Sequence, residues 1–148
     1  MKFSTRGRYA LRAMIMLAEH YGAGPVTIRA ISEKQEISLK YLETIMRTFA
    51  TAGFVISAKG KSGGFILSKS PKEITMADIL RTSEGTLSPV PCLDNPGICA
   101  LKESCKSMKM WQDLREVTVK YLESISLEAI SGQKMPDKLL KEIPDTGT

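Results

Sequence analysis

Cys92, Cys99 and Cys105 are the three cysteines of this 148-residue chain, and they share one short stretch at the spacing Cys-x6-Cys-x5-Cys. Thiolates are soft ligands that favour iron–sulfur clusters, Zn2+ or Cu(I). Neighbouring thiols are also redox-active in their own right, through disulfide formation. An odd count fits poorly with a disulfide framework, and small buried residues without chemistry are the bland alternative. Three cysteines would leave one position open on an iron of a four-ligand cluster. Asp94, Glu103 and Ser107 are nearby candidates for it, as are the Met108 thioether, a partner-chain group, an exogenous thiol or water. No paired histidine or carboxylate constellation accompanies the cysteines and no nucleotide loop is present, which speaks against an enzyme and leaves an electron carrier as the rival of that class. The single histidine, His20, reads as a surface or helix-end residue.

These cysteines must be carried by a loop and fixed by the element after it. Pro89, Pro91, Pro96 and Gly97 make residues 86–100 a loop. From about Leu101 to Ser131 no proline or glycine interrupts the chain. That span predicts one helix of about 45 Å, at 1.5 Å per residue. Trp111, Leu114, Val117, Tyr121 and Ile125 would form an apolar stripe along it. Cys105 would then sit in its first turns, where a helix N-terminus favours thiolate over thiol. Gly132 ends the run, and the tail from 133, with Pro136 and Pro144, is expected to be poorly ordered.

The charge is divided unevenly. Residues 1–70 carry 11 Lys and Arg against 4 Asp and Glu, whereas residues 71–148 carry 10 against 12, so +7 and −2 make the net +5. A basic half joined to a mildly acidic one suggests a polyanion partner for the first half alone. Apolar runs fall well short of the roughly 18 residues of a membrane span, and the start lacks the pattern of a signal peptide. A cytoplasmic protein with reduced thiols is the expectation.

Within the basic half, Leu11, Met14, Ile15 and Ala18 predict one face of a helix from about Thr5 to Tyr21, stopped by Gly22 and Gly24-Pro25. Thr27 reads as the N-cap of a short helix to about Gln35, with Ile28 and Ile31 turned inward. Ser38 caps the next, whose Leu42, Ile45, Met46 and Phe49 follow i, i+3, i+4, i+7. Gly53 stands where a left-handed residue ends a helix. Phe54-Val55-Ile56 and Phe65-Ile66-Leu67 flank Lys59-Gly60-Lys61-Ser62-Gly63-Gly64, a β-hairpin with a basic tip. Thr75-x-x-Asp78 resembles a capping box for a helix ending before Gly85. Helix, helix, capped helix, basic hairpin is the order of a winged helix-turn-helix.

In that motif the second helix of the pair enters the major groove, and its first residues touch base edges. Tyr41 and Thr44 have the reach for bases, Lys40 and Arg47 suit phosphate or guanine, and Ser38 with the first-turn amides makes a phosphate seat. Lys59, Gly60 and Lys61 on the wing would follow the backbone or enter the minor groove, while Arg6 and Arg29 add positive charge beside it. A solvated polar helix face is the competing reading.

Three stretches carry a resemblance: Gly7-Arg8-Tyr9-Ala10-Leu11-Arg12-Ala13-Met14, the run from Ile31 to Glu43, and Gly60-Lys61-Ser62-Gly63-Gly64-Phe65. Over about residues 1–130 the chain resembles the Rrf family of bacterial winged-helix regulators, whose branches include an iron–sulfur cluster regulator, a nitric-oxide sensor and a cysteine-metabolism repressor. The cysteine trio is similar to the cluster-binding branches.

The resemblance implies a mainly α fold: a winged helix-turn-helix domain (1–85) with a small β-hairpin wing, a cysteine-bearing sensor loop (86–106), a long C-terminal dimerisation helix (101–132) and the tail (133–148). It implies a homodimer on a partly palindromic double-stranded DNA operator, most simply as a repressor. It implies a redox-sensing iron–sulfur cluster on Cys92, Cys99 and Cys105, with 2Fe–2S and 4Fe–4S both open. Positions matching Ser38, Lys40, Tyr41, Glu43 and Thr44 lie in the groove-facing helix, and the one matching Lys59 reaches the minor groove. The counterpart of Glu43 is implicated in choosing between operator classes, as a charge that penalises some sequences would be. Two departures leave the fourth ligand open. Met108 stands where the cluster regulator has a histidine, and Arg8 where the nitric-oxide sensor has an aspartate. A thiol or zinc sensor without iron is the alternative within regulation.

Overall fold

Helix α1, Thr5–Glu19, is the spine of the structure, a computed structural model that describes residues 2–132, 134 and 135. The side chain of Ser4 caps it by accepting from the Gly7 amide. Its buried face is Gly7, Ala10, Ala13, Met14, Met16 and Leu17. The stripe expected from the larger residues is therefore rotated: Met14 is in the core, while Leu11, Ile15 and Ala18 are half-buried along its edge. Small residues bring the backbone of α1 close to its neighbours, and two later helices, α4 (Met76–Glu84) and α6 (Leu127–Ser131), pack on it.

Helix α2, Ile28–Gln35, and helix α3, Leu39–Thr51, form the helix-turn-helix. Thr27 and Ser38 cap them as expected, each accepting an amide three residues on, from Ala30 and Tyr41. The turn between them puts Glu36 at φ 54°, a left-handed conformation that costs a non-glycine residue about 1–2 kcal/mol. It is held by the Ile37 amide on the Ser32 carbonyl at 3.1 Å and the Ser32 hydroxyl on the Ile37 carbonyl at 2.6 Å. Leu42, Ile45, Met46 and Phe49 are all buried, as their spacing requires. Helix α3 ends with Gly53 at φ 83°. The Gly53 amide reaches the Ala50 carbonyl at 3.1 Å and the Phe54 amide the Phe49 carbonyl at 2.9 Å. Those two bonds and the tilted Phe49–Phe54 ring contact at 6.2 Å make a Schellman stop.

Strands β1, Val55–Ala58, and β2, Gly64–Leu67, pair antiparallel with Ile56 opposite Ile66. The wing is tied to the entry of α2 by reciprocal bonds between Val26 and Phe65 at 3.0 and 2.8 Å. That approach explains Gly64: a Cβ there would lie 2.3 Å from the Val26 carbonyl oxygen. Helix α4, Met76–Glu84, opens on the Thr75–Asp78 capping box and stops at Gly85, φ 84°, as read from the sequence.

The C-terminal part differs from expectation. Instead of one helix over 101–131 there is helix α5, Met108–Glu123, then a break, then the short helix α6, Leu127–Ser131. The break has a tertiary cause. The Met76 amide bonds to the Ile125 carbonyl at 2.9 Å and the Leu127 amide to the Ile74 carbonyl at 2.7 Å. Backbone bonds to Ile74 and Met76 at the entry of α4 thus replace helical ones, and Ser126 caps α6. Ile125 and Leu127 are buried in the main core, so Ile125 leaves the proposed stripe. Upstream, Lys102–Ser104 forms a short 3-10 turn rather than α-helix. Apart from Lys134 and Met135, the tail expected to be poorly ordered lies outside the described residues. Among those described, no helix is long and apolar enough to cross a membrane.

Candidate DNA interface and cysteine loop

The polar face of α3 offers exposed Lys40, Glu43, Thr44 and Arg47, and Arg29 is exposed on α2. Ser38 is exposed and its hydroxyl oxygen takes the Tyr41 amide at 3.3 Å. The amides ahead of Tyr41 in the first turn lack helical acceptors, as at any helix start. Lys59, Gly60 and Lys61 form the exposed hairpin tip. These groups fall on the recognition helix, the helix before it and the wing.

Two candidates are more constrained than the sequence suggested. Tyr41 is half-buried, edge-on to Tyr9 with ring centres 5.8 Å apart, and the Arg12 guanidinium lies 5.5 Å from the Tyr9 ring. Arg6 is half-buried and donates to the Thr48 hydroxyl at 2.6 Å, bracing α1 against α3. Arg12, which the periodicity left without a role, donates to the Gln35 side chain at 3.1 Å and to the Gln35 carbonyl, fixing α1 to the end of α2. Thr51 and Thr82 were also missed: with Arg47, Thr48 and Ala52 they line a shallow concavity of about 460 Å³ beside the same stripe. Thr82 belongs to another helix, so no single-helix pattern could have found it.

The loop after α4 is a chain of three short 3-10 turns, Pro91–Leu93, Pro96–Ile98 and Lys102–Ser104. Cys92 lies in the first, and Cys99 and Cys105 directly follow the other two. All three thiols are free and half-buried. Among the described residues no three His, Cys, Asp or Glu side chains converge closely enough to hold a metal ion. The donor chemistry therefore suits a thiolate-bound cluster, but the loop does not preassemble the site.

The electrostatics of the loop are local. Cys105 precedes α5 rather than sitting in its first turn. Its thiol lies 3.4 Å from the Ser107 hydroxyl. That hydroxyl, then the Ser107 and Met108 amides, hold the thiol below its ordinary pKa. The helix N-terminus thus still contributes, from one step away. Asp94 accepts from the Ser88 hydroxyl at 2.6 Å and the Thr86 hydroxyl at 2.7 Å. Those two bonds keep its carboxyl below the usual range, with Arg115 adding to them. Asp94, a candidate fourth ligand by sequence, is thus engaged in folding the loop. His20 ends α1 with Nδ1 2.8 Å from the Met16 carbonyl oxygen, the helix-end role expected of it.

Comparison with known proteins places this geometry. The profile of the Rrf2 family, described as an iron-dependent transcriptional regulator, matches residues 3–133. The transcriptional regulator CymR of Bacillus subtilis is 36% identical over 131 residues, covering 88% of this chain and 90% of that protein. The regulator IscR of Photorhabdus laumondii is 35% identical over 130 residues, covering 88% of this chain and 79% of its own. The solved structure of B. subtilis CymR, described as the global cysteine regulator, superposes with a TM-score of 0.77 at 34% identity, covering 90% of this chain and 98% of that one.

Proposed function

This chain belongs to the Rrf2 family of transcriptional regulators, and we propose that it binds a partly palindromic operator as a homodimer whose affinity is set by an iron–sulfur cluster on Cys92, Cys99 and Cys105. One observation carries the reading: the chain's three cysteines stand in or directly after three consecutive turns of a single loop, all free and half-buried. The family description, which names iron, and the likeness to IscR support it. Such a cluster would supply a centre labile to oxygen, nitric oxide or iron shortage, and the chain's own part is to fold the loop around it. With only three thiols, one ligand comes from elsewhere, which suits a centre meant to be lost.

The homodimer is supported by α5. Met110, Leu114, Val117 and Tyr121 are 37–57% exposed along it, an apolar stripe that a lone chain leaves in water. Two copies joined there would present two recognition helices to half-sites a helical turn or a multiple apart.

Anaerobic isolation with iron and sulfide analysis tests the cluster. Wild type is expected to be brown and to hold both elements. Cys92→Ala, Cys99→Ala and Cys105→Ala should each abolish the visible absorption while the dimer stays folded. Full retention of the spectrum in any of them would overturn the ligand assignment. The alternative reading, a thiol or zinc sensor, is favoured by the acidified Cys105 thiol and by the open arrangement of the trio. It predicts a colourless protein whose DNA binding answers to a thiol oxidant.

A further inference from the structure

The loop that bears the cysteines is bonded, step by step, to the recognition helix. Glu84 is the last residue of α4, one position before the Gly85 bend from which the loop departs. Its Oε1 accepts two bonds from Ser4, from the amide at 3.0 Å and from the hydroxyl at 2.6 Å. Ser4 is the N-cap of α1 and takes the Gly7 amide at 3.0 Å. Two residues on, Arg6 donates at 2.6 Å to Thr48, a half-buried residue at the C-terminal end of the α3 stripe.

On the other side of Gly85 the bonds continue into the loop. Thr86 and Ser88 both donate to Asp94, two residues past Cys92. The first cysteine turn is therefore pinned to a root that begins one residue from Glu84.

The position of Glu84 is not incidental packing. A carboxylate is stabilised at a helix N-terminus and disfavoured at a C-terminus. Glu84 is at the C-terminal end of its own helix and reaches across to the start of α1. Gly7 makes the reach possible, since a Cβ there would stand 2.2 Å from Oε1. A longer side chain at position 7 would expel the carboxylate.

We propose that Glu84 is the positioning residue that links the cysteine loop to the DNA-reading face, holding the start of α1, and through Arg6 the α3 stripe, in register with the loop root. The inference rests on the reading above that operator affinity answers to the state of the cysteines. Rearrangement of the loop draws on Gly85 and shifts the Glu84 carboxylate. Ser4 then moves with it, and the Arg6–Thr48 brace tightens or loosens in turn.

Two measurements on the full-length protein test the link, both with a duplex selected from random DNA by the wild type. The first compares operator affinity of protein reconstituted with iron and sulfide against metal-free reduced protein. A coupled wild type should show a ratio of about 5–150-fold. Glu84→Ala should take that ratio to about one with an unchanged cluster spectrum, and Glu84→Gln, which can still accept from Ser4, should restore most of it. A merely structural role would weaken both states alike and keep the ratio, and that result overturns the proposal.

The second needs no cluster. It is a double-mutant cycle of Glu84→Ala and Thr48→Val on operator binding by metal-free protein. Linked residues should be non-additive, the double variant binding no worse than the weaker single one. Additivity within about twofold would refute the link. A wild-type ratio of one would instead count against the cysteine loop as a switch, and the cycle alone would then decide the link.

Discussion

A hydroxyl two residues away favours the thiolate of Cys105 over its thiol. The Ser107 hydroxyl and the first amides of α5 favour its thiolate. A lowered pKa means that the reactive form persists to lower pH. Ser107→Ala is therefore expected to move the pH profile of Cys105 alkylation in metal-free protein to higher pH and to slow the reaction near pH 7. Rate profiles with a thiol alkylator and mass-spectrometric assignment of the site would check this. An unshifted profile would mean that the hydroxyl plays no part. At the same scale, Lys59 at the wing tip is expected to contact phosphate. Lys59→Ala should weaken operator and random duplex about equally and reduce the salt slope by about one. Side-chain roles were only half legible in the sequence. Spacing placed Tyr41 and Thr44 on one face of α3, but it could not show that Tyr9 of another helix would pack edge-on to Tyr41 or that Arg6 would be spent on Thr48.

Elements were legible where one helix or one turn sets its own limits. The apolar set of α3, its Ser38 cap and its Gly53 stop are all local signals, and each appears in the structure. The face of α1 was harder, because Gly7, Ala10 and Ala13, half of its buried set, carry little hydrophobic signal. The C-terminal helix was misread for a further reason. Nothing between Leu101 and Ser131 forbids a helix, and the break at Ser124–Ser126 comes from bonds to Ile74 and Met76 at the entry of α4, some fifty residues earlier. Two stability tests belong here. Ser126→Ala removes the α6 cap and should cost about 1 kcal/mol, seen as a lower denaturant midpoint. Gly64→Ala forces a methyl against the Val26 carbonyl, and should cost about 1–3 kcal/mol with local loss of amide protection in the wing. Wild-type protection of the Val26 and Phe65 amides in that variant would contradict the role given to Gly64.

At the scale of the molecule, the basic first half and the exposed stripe of α5 call for two different partners, DNA and a second copy. Leu114→Glu with Val117→Glu places charge in that stripe and is expected to give monomers by analytical ultracentrifugation, with folded helix content retained and operator binding reduced. A dimer that survives both charges would place the self-association surface elsewhere. The winged architecture was written along the chain as an order of local signals. The cysteine site was legible only as a composition, and among the described residues the loop does not bring the three thiols together.

The central question is whether the state of the cysteine loop alters the grip on DNA. The direct measurement is anaerobic titration of the selected operator duplex with two samples of one preparation, one reconstituted with iron and sulfide and one stripped of metal and kept reduced, across a range of salt. Affinities that differ by about fivefold or more at every salt concentration are expected, with the difference lost in Cys92→Ala. Superimposable isotherms from two samples of proven cluster content would contradict a cysteine-loop switch.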